Sequence, residues 1–362
     1  MGYARFTLAL GVVAFHSGLG GYGGVYMLYG FYIISGYVIH KSIAKNYQGK
    51  PNWVFIFFLK RFLRLIPSFI VASIILYITF ISICNLSSTH DCKDLPTNVV
   101  NYITSRHLNL HDLWAGIQPN VILKTSPPQA IAFFGFVSPF WSVSLELLFY
   151  LLAPFIFASK MRPRLYLLLI VTAAIYFYYS FYLVGKNDMG RWMDIVYRNF
   201  FPTMLFFIMG ACASQLEMSR HIAKPAKETL AKATKPIFIC SIFCVLYLSR
   251  EANLTPQNYI IHHHILLSIV VLATLLTIYC DKIKNERSRN LDFFLGELSY
   301  PIYINHNTVI LAVIAYEHFY AEPQTLSALI KIPLILLLTI FLSMVFYFLF
   351  EKRLNRIRKS IG

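Results

Sequence analysis

Charge is what this chain has least of. Asp, Glu, Lys and Arg together make up 13% of its 362 residues, about half the share of an average soluble domain. That excludes an ordinary water-soluble globule. Acidic residues are the scarcer kind, 16 against 32 Lys and Arg. The basic excess does not mark a nucleic-acid binder, because the cations lie in short segments between apolar runs rather than on one polar domain. Cysteine is sparse too, and no Cys-x-x-Cys or Cys/His spacing of a metal site occurs among the six. Cys212, Cys240, Cys244 and Cys280 sit in apolar runs as small core residues. Cys84 and Cys92 flank the polar stretch Asn85 to Asp91 and are the candidate disulfide. His107 and His111 stand four apart, and His262, His263 and His264 run together. No companion Cys or carboxylate pattern supports either group, so no metal is expected. Also lacking are an internal repeat and a long polar segment that would form an appended soluble domain.

Apolar residues dominate: 57% of the chain is hydrophobic and 16% aromatic, with a mean hydropathy of +0.59. The class that fits is an all-α, polytopic integral membrane protein forming one transmembrane domain over residues 1–362. At about 20 residues per crossing, roughly ten transmembrane helices are expected. They fall near 4–19, 24–41, 62–84, 138–158, 164–184, 198–216, 236–250, 260–280, 293–314 and 328–350. An even number puts both termini on one side. Of the 32 Lys and Arg, 24 fall in the segments this layout places inside, so both termini are expected to be cytoplasmic. The outer loop at about 85–137, with Pro119, Pro127 and Pro128, is long enough to roof a cavity. A signal peptide over residues 1–20 is the alternative for the first segment. His16 would interrupt its apolar core, and the remaining chain is itself membrane-spanning.

Within this apolar background the ionisable residues stand out. Arg5 and His16 enclose ten residues, nine of them apolar or glycine. Eleven helical steps of about 100° come to nearly three whole turns, so the pair shares a helix face about 16 Å apart. An ionisable residue deep in a bilayer is a functional candidate by default, and two on one face suggest a polar track. Arg61 and Arg64, at i and i+3, present two guanidinium forks suited to phosphate at the inner end of the third span, although positive-inside anchoring explains them equally. Glu146 is a carboxylate within a span, one turn from Tyr150, and needs a partner. It opens a run with Trp141 and Ser144. Gly23, Gly24 and Gly36 permit a tight turn and close helix approach around Ser35. Tyr303 and His306 share a face in a segment that Pro301 interrupts.

These segments, in this order, resemble the acyltransferase-3 family of membrane-bound O-acyltransferases. The resemblance rests on the Arg5–His16 spacing, Phe31-Tyr32-Ile33-Ile34-Ser35-Gly36-Tyr37, and Arg61-Phe62-Leu63-Arg64-Leu65-Ile66-Pro67. It rests also on Trp141-Ser142-Val143-Ser144-Leu145-Glu146 with Phe149-Tyr150, and on Ser299-Tyr300 with Tyr303 and His306. It covers nearly the whole chain. The family more often has two phenylalanines where this chain has Phe31-Tyr32, and leucine where it has Ile304. Its optional extracytoplasmic hydrolase-like domain is not expected here.

The resemblance implies transfer of an acyl group, most often acetyl, from cytosolic acetyl-CoA to a hydroxyl of an extracytoplasmic or lipid-linked glycan such as O-antigen or exopolysaccharide. It implies a bacterial inner-membrane location, with lipids, acyl-CoA and the glycan as partners and no nucleic acid. Arg5, Arg61 and Arg64 are then the donor-binding candidates. His16 is the candidate general base, and Glu146 a candidate to orient it. Ser35, Trp141, Ser144, Tyr150, Tyr303 and His306 are substrate-site candidates. No Ser or Cys stands beside an obvious base, which favours direct transfer over an acyl-enzyme. The rival class is a glycolipid transporter or flippase using the same intramembrane Arg, His and Glu without chemistry. A non-catalytic membrane scaffold is a third reading.

Overall fold

In the computed structural model, residues 1–19, 23–47, 49, 51–86, 140–157, 162–183, 196–197, 199–219, 224–250, 256–280, 286–320 and 327–361 are described. Among them the chain is all-α. Each of the ten apolar segments forms a helix: α1 (Gly2–His16), α2 (Gly23–Ser42), α3 (Trp53–Leu86), α4 (Phe140–Phe157), α5 (Arg162–Phe177), α6 (Phe200–Ser219), α7 (Lys224–Arg250), α8 (Pro256–Cys280), α9 (Glu286–Tyr320) and α10 (Ala328–Phe346). An eleventh, α11 (Lys352–Ser360), follows α10 through a π-helical turn, Tyr347–Glu351. Residues 87–139, with Cys92, His107 and His111, lie outside the described residues, as do the side chains of Cys84, Trp141 and Ser144.

Among the described residues, six helices are long and apolar enough to cross a membrane: Trp53–Ile83, Pro163–Phe181, Phe200–Glu217, His262–Cys280, Ser288–Glu317 and Leu329–Ser360. Two shorter apolar stretches, Leu145–Phe157 and Ala233–Ser249, accompany them. The protein is therefore a polytopic, multi-pass membrane protein. The outer helices turn their largest apolar side chains away from the protein, with Leu337, Phe341, Ile170 and Leu349 all about two-thirds exposed. A lipid-facing surface has no reason to hide them. α1 and α2 are the reverse. Both are largely buried among the other helices, with Leu8, Val13, Tyr29 and Ile33 at zero exposure, and α2 packs along α6 as α1 packs along α9.

Glycine sets how close those inner helices come. A Cβ on Gly36 of α2 would stand 1.9 Å from the Phe207 carbonyl oxygen of α6, and one on Gly210 would stand 1.9 Å from the carbonyl of Ile33. Only hydrogen fits at either place. Gly2 meets the backbone of Asp292 and Gly296 in the same way, which pins the start of α1 to the start of α9. The Met1 amino group reaches Asp292 Oδ2 at 2.8 Å, and the Tyr3 amide donates to Oδ1 at 3.0 Å. From the other terminus, Arg358 lies 3.6 Å from Glu297 of α9, and Asn355 donates to that same carboxylate. The first and last helices thus both meet the start of α9.

Candidate functional site

A cavity of about 60 Å³ opens where α1, α2, α3, α4 and α9 converge. Arg5 enters from α1, Phe31, Tyr32 and Ser35 from α2, Arg64 from α3, Ser142 and Glu146 from α4, and Ser299, Tyr300 and Tyr303 from α9. Helical period explains these sets. Ser142, Glu146 and Tyr150 are spaced by four and share one face, as do Ser299, Tyr303 and His306 within one another's next turn.

The polar groups in the cavity divide into paired and unpaired. Glu146 Oε1 accepts from the Ser35 hydroxyl at 3.0 Å and from the Tyr150 hydroxyl one turn along. Tyr303 and Ser142 pair their hydroxyls, and the Tyr300 hydroxyl donates to the Leu65 carbonyl at 2.9 Å. Arg5 and Arg64 form no ion pair and no hydrogen bond with the described residues. Among the described residues the cavity lining carries two guanidiniums and one carboxylate, a set that suits an anion. Arg61 is placed differently. It does not line the cavity, and its guanidinium lies over the rings of Phe57 and Tyr150, at 5.4 and 5.5 Å. Arg61 and Arg64 stand at i and i+3 on α3, yet only Arg64 lines the cavity. The Phe57 and Tyr150 rings intercept Arg61 on its way to the cavity.

The other end of α1 holds His16. The helix stops there because Gly18, at φ +92°, turns the chain into the left-handed region that glycine occupies freely. A histidine in a last turn suits the helix dipole, but this ring also has a neighbour. The His306 ring of α9 stands 5.1 Å away, centre to centre, inclined by 34°. His306 is fully buried, and its Nδ1 donates to the Tyr303 carbonyl at 2.7 Å. Tyr303 lines the cavity. So the two ends of α1 are linked along α9: Arg5 and Arg64 at the cavity, Tyr303 between, and the two imidazoles beyond. Glu146 stands with Arg5 at the cavity end and not beside His16.

Two features of the site escaped the sequence reading. Ser142 lines the cavity with Glu146, and the four-residue spacing was there to be read. Glu351 is buried and accepts from the Ser68 hydroxyl of α3, one turn along from Arg64. Its signal was being the sole acidic residue of the last apolar run. His263 bonds the Tyr26 hydroxyl at 2.9 Å, and His264 stacks on Phe181, so this pair packs within the bundle. Among the described residues no group of three His, Cys, Asp or Glu is arranged to hold a metal ion.

Comparison with known proteins places the whole arrangement. No curated protein and no solved structure matches the chain. The family model described as an acyltransferase domain, of the acyltransferase-3 type, matches residues 1–348. That span contains every residue lining the cavity, both imidazoles and all ten apolar helices. The chain belongs to the acyltransferase-3 family and is a multi-pass membrane acyltransferase.

Proposed function

We propose that this acyltransferase moves an acetyl group from cytosolic acetyl-CoA to a hydroxyl of an extracytoplasmic or lipid-linked surface glycan, working in a bacterial inner membrane with both termini in the cytoplasm. One observation carries the reading: unpaired guanidiniums stand at one end of α1 and an imidazole at the other. Donor phosphates bind at the Arg5 and Arg64 end. In this reading the headgroup of CoA stays at the mouth of the cavity while the thin pantetheine arm enters. The arm then spans the roughly 16 Å between Arg5 and His16, so donor and acceptor need never share a compartment.

At the far end His16 acts as general base. Its bare ring nitrogen takes the proton of the acceptor hydroxyl as that oxygen bonds to the thioester carbonyl carbon. The carbon–sulfur bond then breaks, and the proton passes to the departing thiolate. Positioned general-base catalysis contributes typically 10²–10⁴-fold. Direct transfer needs no acyl-enzyme.

His16→Ala and His16→Gln test the reading in purified protein supplied with acetyl-CoA and glycan acceptor. Both variants are expected to keep acyl-CoA binding and thermal stability and to lose about 10²–10⁴ in turnover. Substantial glycan acetylation by His16→Ala would remove His16 from the mechanism. Wild-type protein that moves glycolipid across a bilayer without acetylating it would be a transporter instead.

A further inference from the structure

We infer that His306 is the positioning residue of His16: its Nε2 accepts a hydrogen bond from the His16 ring N–H and so fixes which His16 nitrogen is left bare for the acceptor hydroxyl. This rests on the proposed role of His16 as base.

The chemistry of His306 follows from its partners. A backbone carbonyl only accepts, so the His306 Nδ1 at 2.7 Å from the Tyr303 oxygen carries the hydrogen. In a neutral imidazole the other nitrogen, Nε2, then holds a lone pair. That nitrogen is enclosed and has no hydrogen-bond partner among the described residues. A buried acceptor left unsatisfied is costly, most of all in a bilayer where no solvent compensates. The His16 ring is 5.1 Å away, centre to centre. A linear N–H···N bond of about 2.9 Å between two imidazoles puts their ring centres about 5 Å apart. The two rings already stand at that spacing, and the inference requires the His16 ring to turn about its χ2 until its N–H faces Nε2. The His16 ring has no hydrogen bond to the described residues that would have to be broken.

An imidazole is a reasonable choice for this task. A carboxylate orienting a base would have to remain ionised in a low-dielectric interior, which is expensive. The one carboxylate of the cavity, Glu146, is instead held by Ser35 and Tyr150 near the arginines. His306 accepts while neutral. It is held in turn by the Tyr303 carbonyl, and Tyr303 by Ser142, so its orientation is fixed from the wall of the cavity. During transfer the acceptor proton goes to the bare His16 nitrogen and then to the CoA sulfur. The hydrogen shared with His306 stays where it is, and His16 returns neutral.

Three variants of the full-length protein test this: His306→Asn, His306→Gln and His306→Ala. Asn replaces the Nδ1 donor and lacks the reach to Nε2, whereas Gln carries an amide oxygen close to the Nε2 position. His306→Asn and His306→Ala are expected to lower kcat about 10–100-fold with donor and acceptor KM within about twofold, and His306→Gln to recover most of kcat. Free imidazole added to His306→Ala should restore part of the rate. Melting temperature, followed in parallel, should separate His306→Asn from His306→Ala, since only Asn keeps the Tyr303 bond. The inference is overturned by a wild-type kcat in a folded His306→Asn, by Gln as inactive as Asn, or by an effect confined to KM. If His16→Ala itself transfers acetyl, the base reading has failed rather than this one.

Discussion

Arg64 and Arg61 are one helical turn apart and the structure gives them different work, so substituting each in turn is a sharp test. Arg64 reaches the cavity and has no ion pair or hydrogen bond there. Removing it leaves Glu146 its two hydroxyl donors and its neighbour Arg5, and leaves buried Glu351 its Ser68 donor and the nearby Arg358. Arg64→Ala should therefore fold and melt close to wild type. Its cost should fall on the ligand. Losing a hydrogen bond to a charged group costs about 1.5–3 kcal/mol, and each 1.4 kcal/mol is a factor of ten, so the donor KM should rise roughly tenfold to hundredfold. Acceptor KM should stay nearly constant. Arg61 lies over Phe57 and Tyr150 outside the cavity. Arg61→Ala removes a cation–π contact of about 0.5–2 kcal/mol from the protein itself, so it should lower the melting temperature more than it raises donor KM. Steady-state kinetics against acetyl-CoA, with melting curves of the same preparations, make the comparison. An unchanged donor KM in folded Arg64→Ala, or equal donor effects from the two arginines, would refute the assignment of the cavity to the donor phosphates.

Packing and topology give two more expectations. Gly36→Ala puts a methyl group 1.9 Å from the Phe207 carbonyl, a backbone atom that cannot step aside, and should cost at least about 1–3 kcal/mol while displacing Ser35 from Glu146. Gly30→Ala meets side-chain ends alone, the tips of Leu8 at 3.0 Å and the Thr274 hydroxyl at 3.3 Å, and should be milder, so melting curves showing the two alike would refute the glycine argument. If the termini are cytoplasmic, a single cysteine introduced as Lys227→Cys should be shielded from an impermeant thiol reagent in intact cells and labelled after permeabilisation. Labelling from outside would invert the orientation.

Much of this protein was decided locally. Scarce charge and ten apolar segments dictate embedding in a bilayer, because backbone polar groups there must be satisfied within helices. A rigid helical period places Arg5 and His16 on one face without reference to any other residue, and it equally tied Ser142 to Glu146. Tertiary structure decided what those faces meet. Whether Arg64 or Arg61 reaches the cavity depends on Phe57 and Tyr150, and Tyr150 comes from α4, far away in the chain. Glu146 finds Ser35 rather than an imidazole because close contact at Gly36 and Gly210 seats α2 against α6 and sets where Ser35 sits. His306 lies beside His16 because Gly2 meets Gly296 and Asp292 at the other end of α1, so the two helices run in a register that brings the rings level about four turns after the Gly2–Asp292 contact. Such registers are sums of many weak long-range contacts between helices, and no local pattern of residues encodes them.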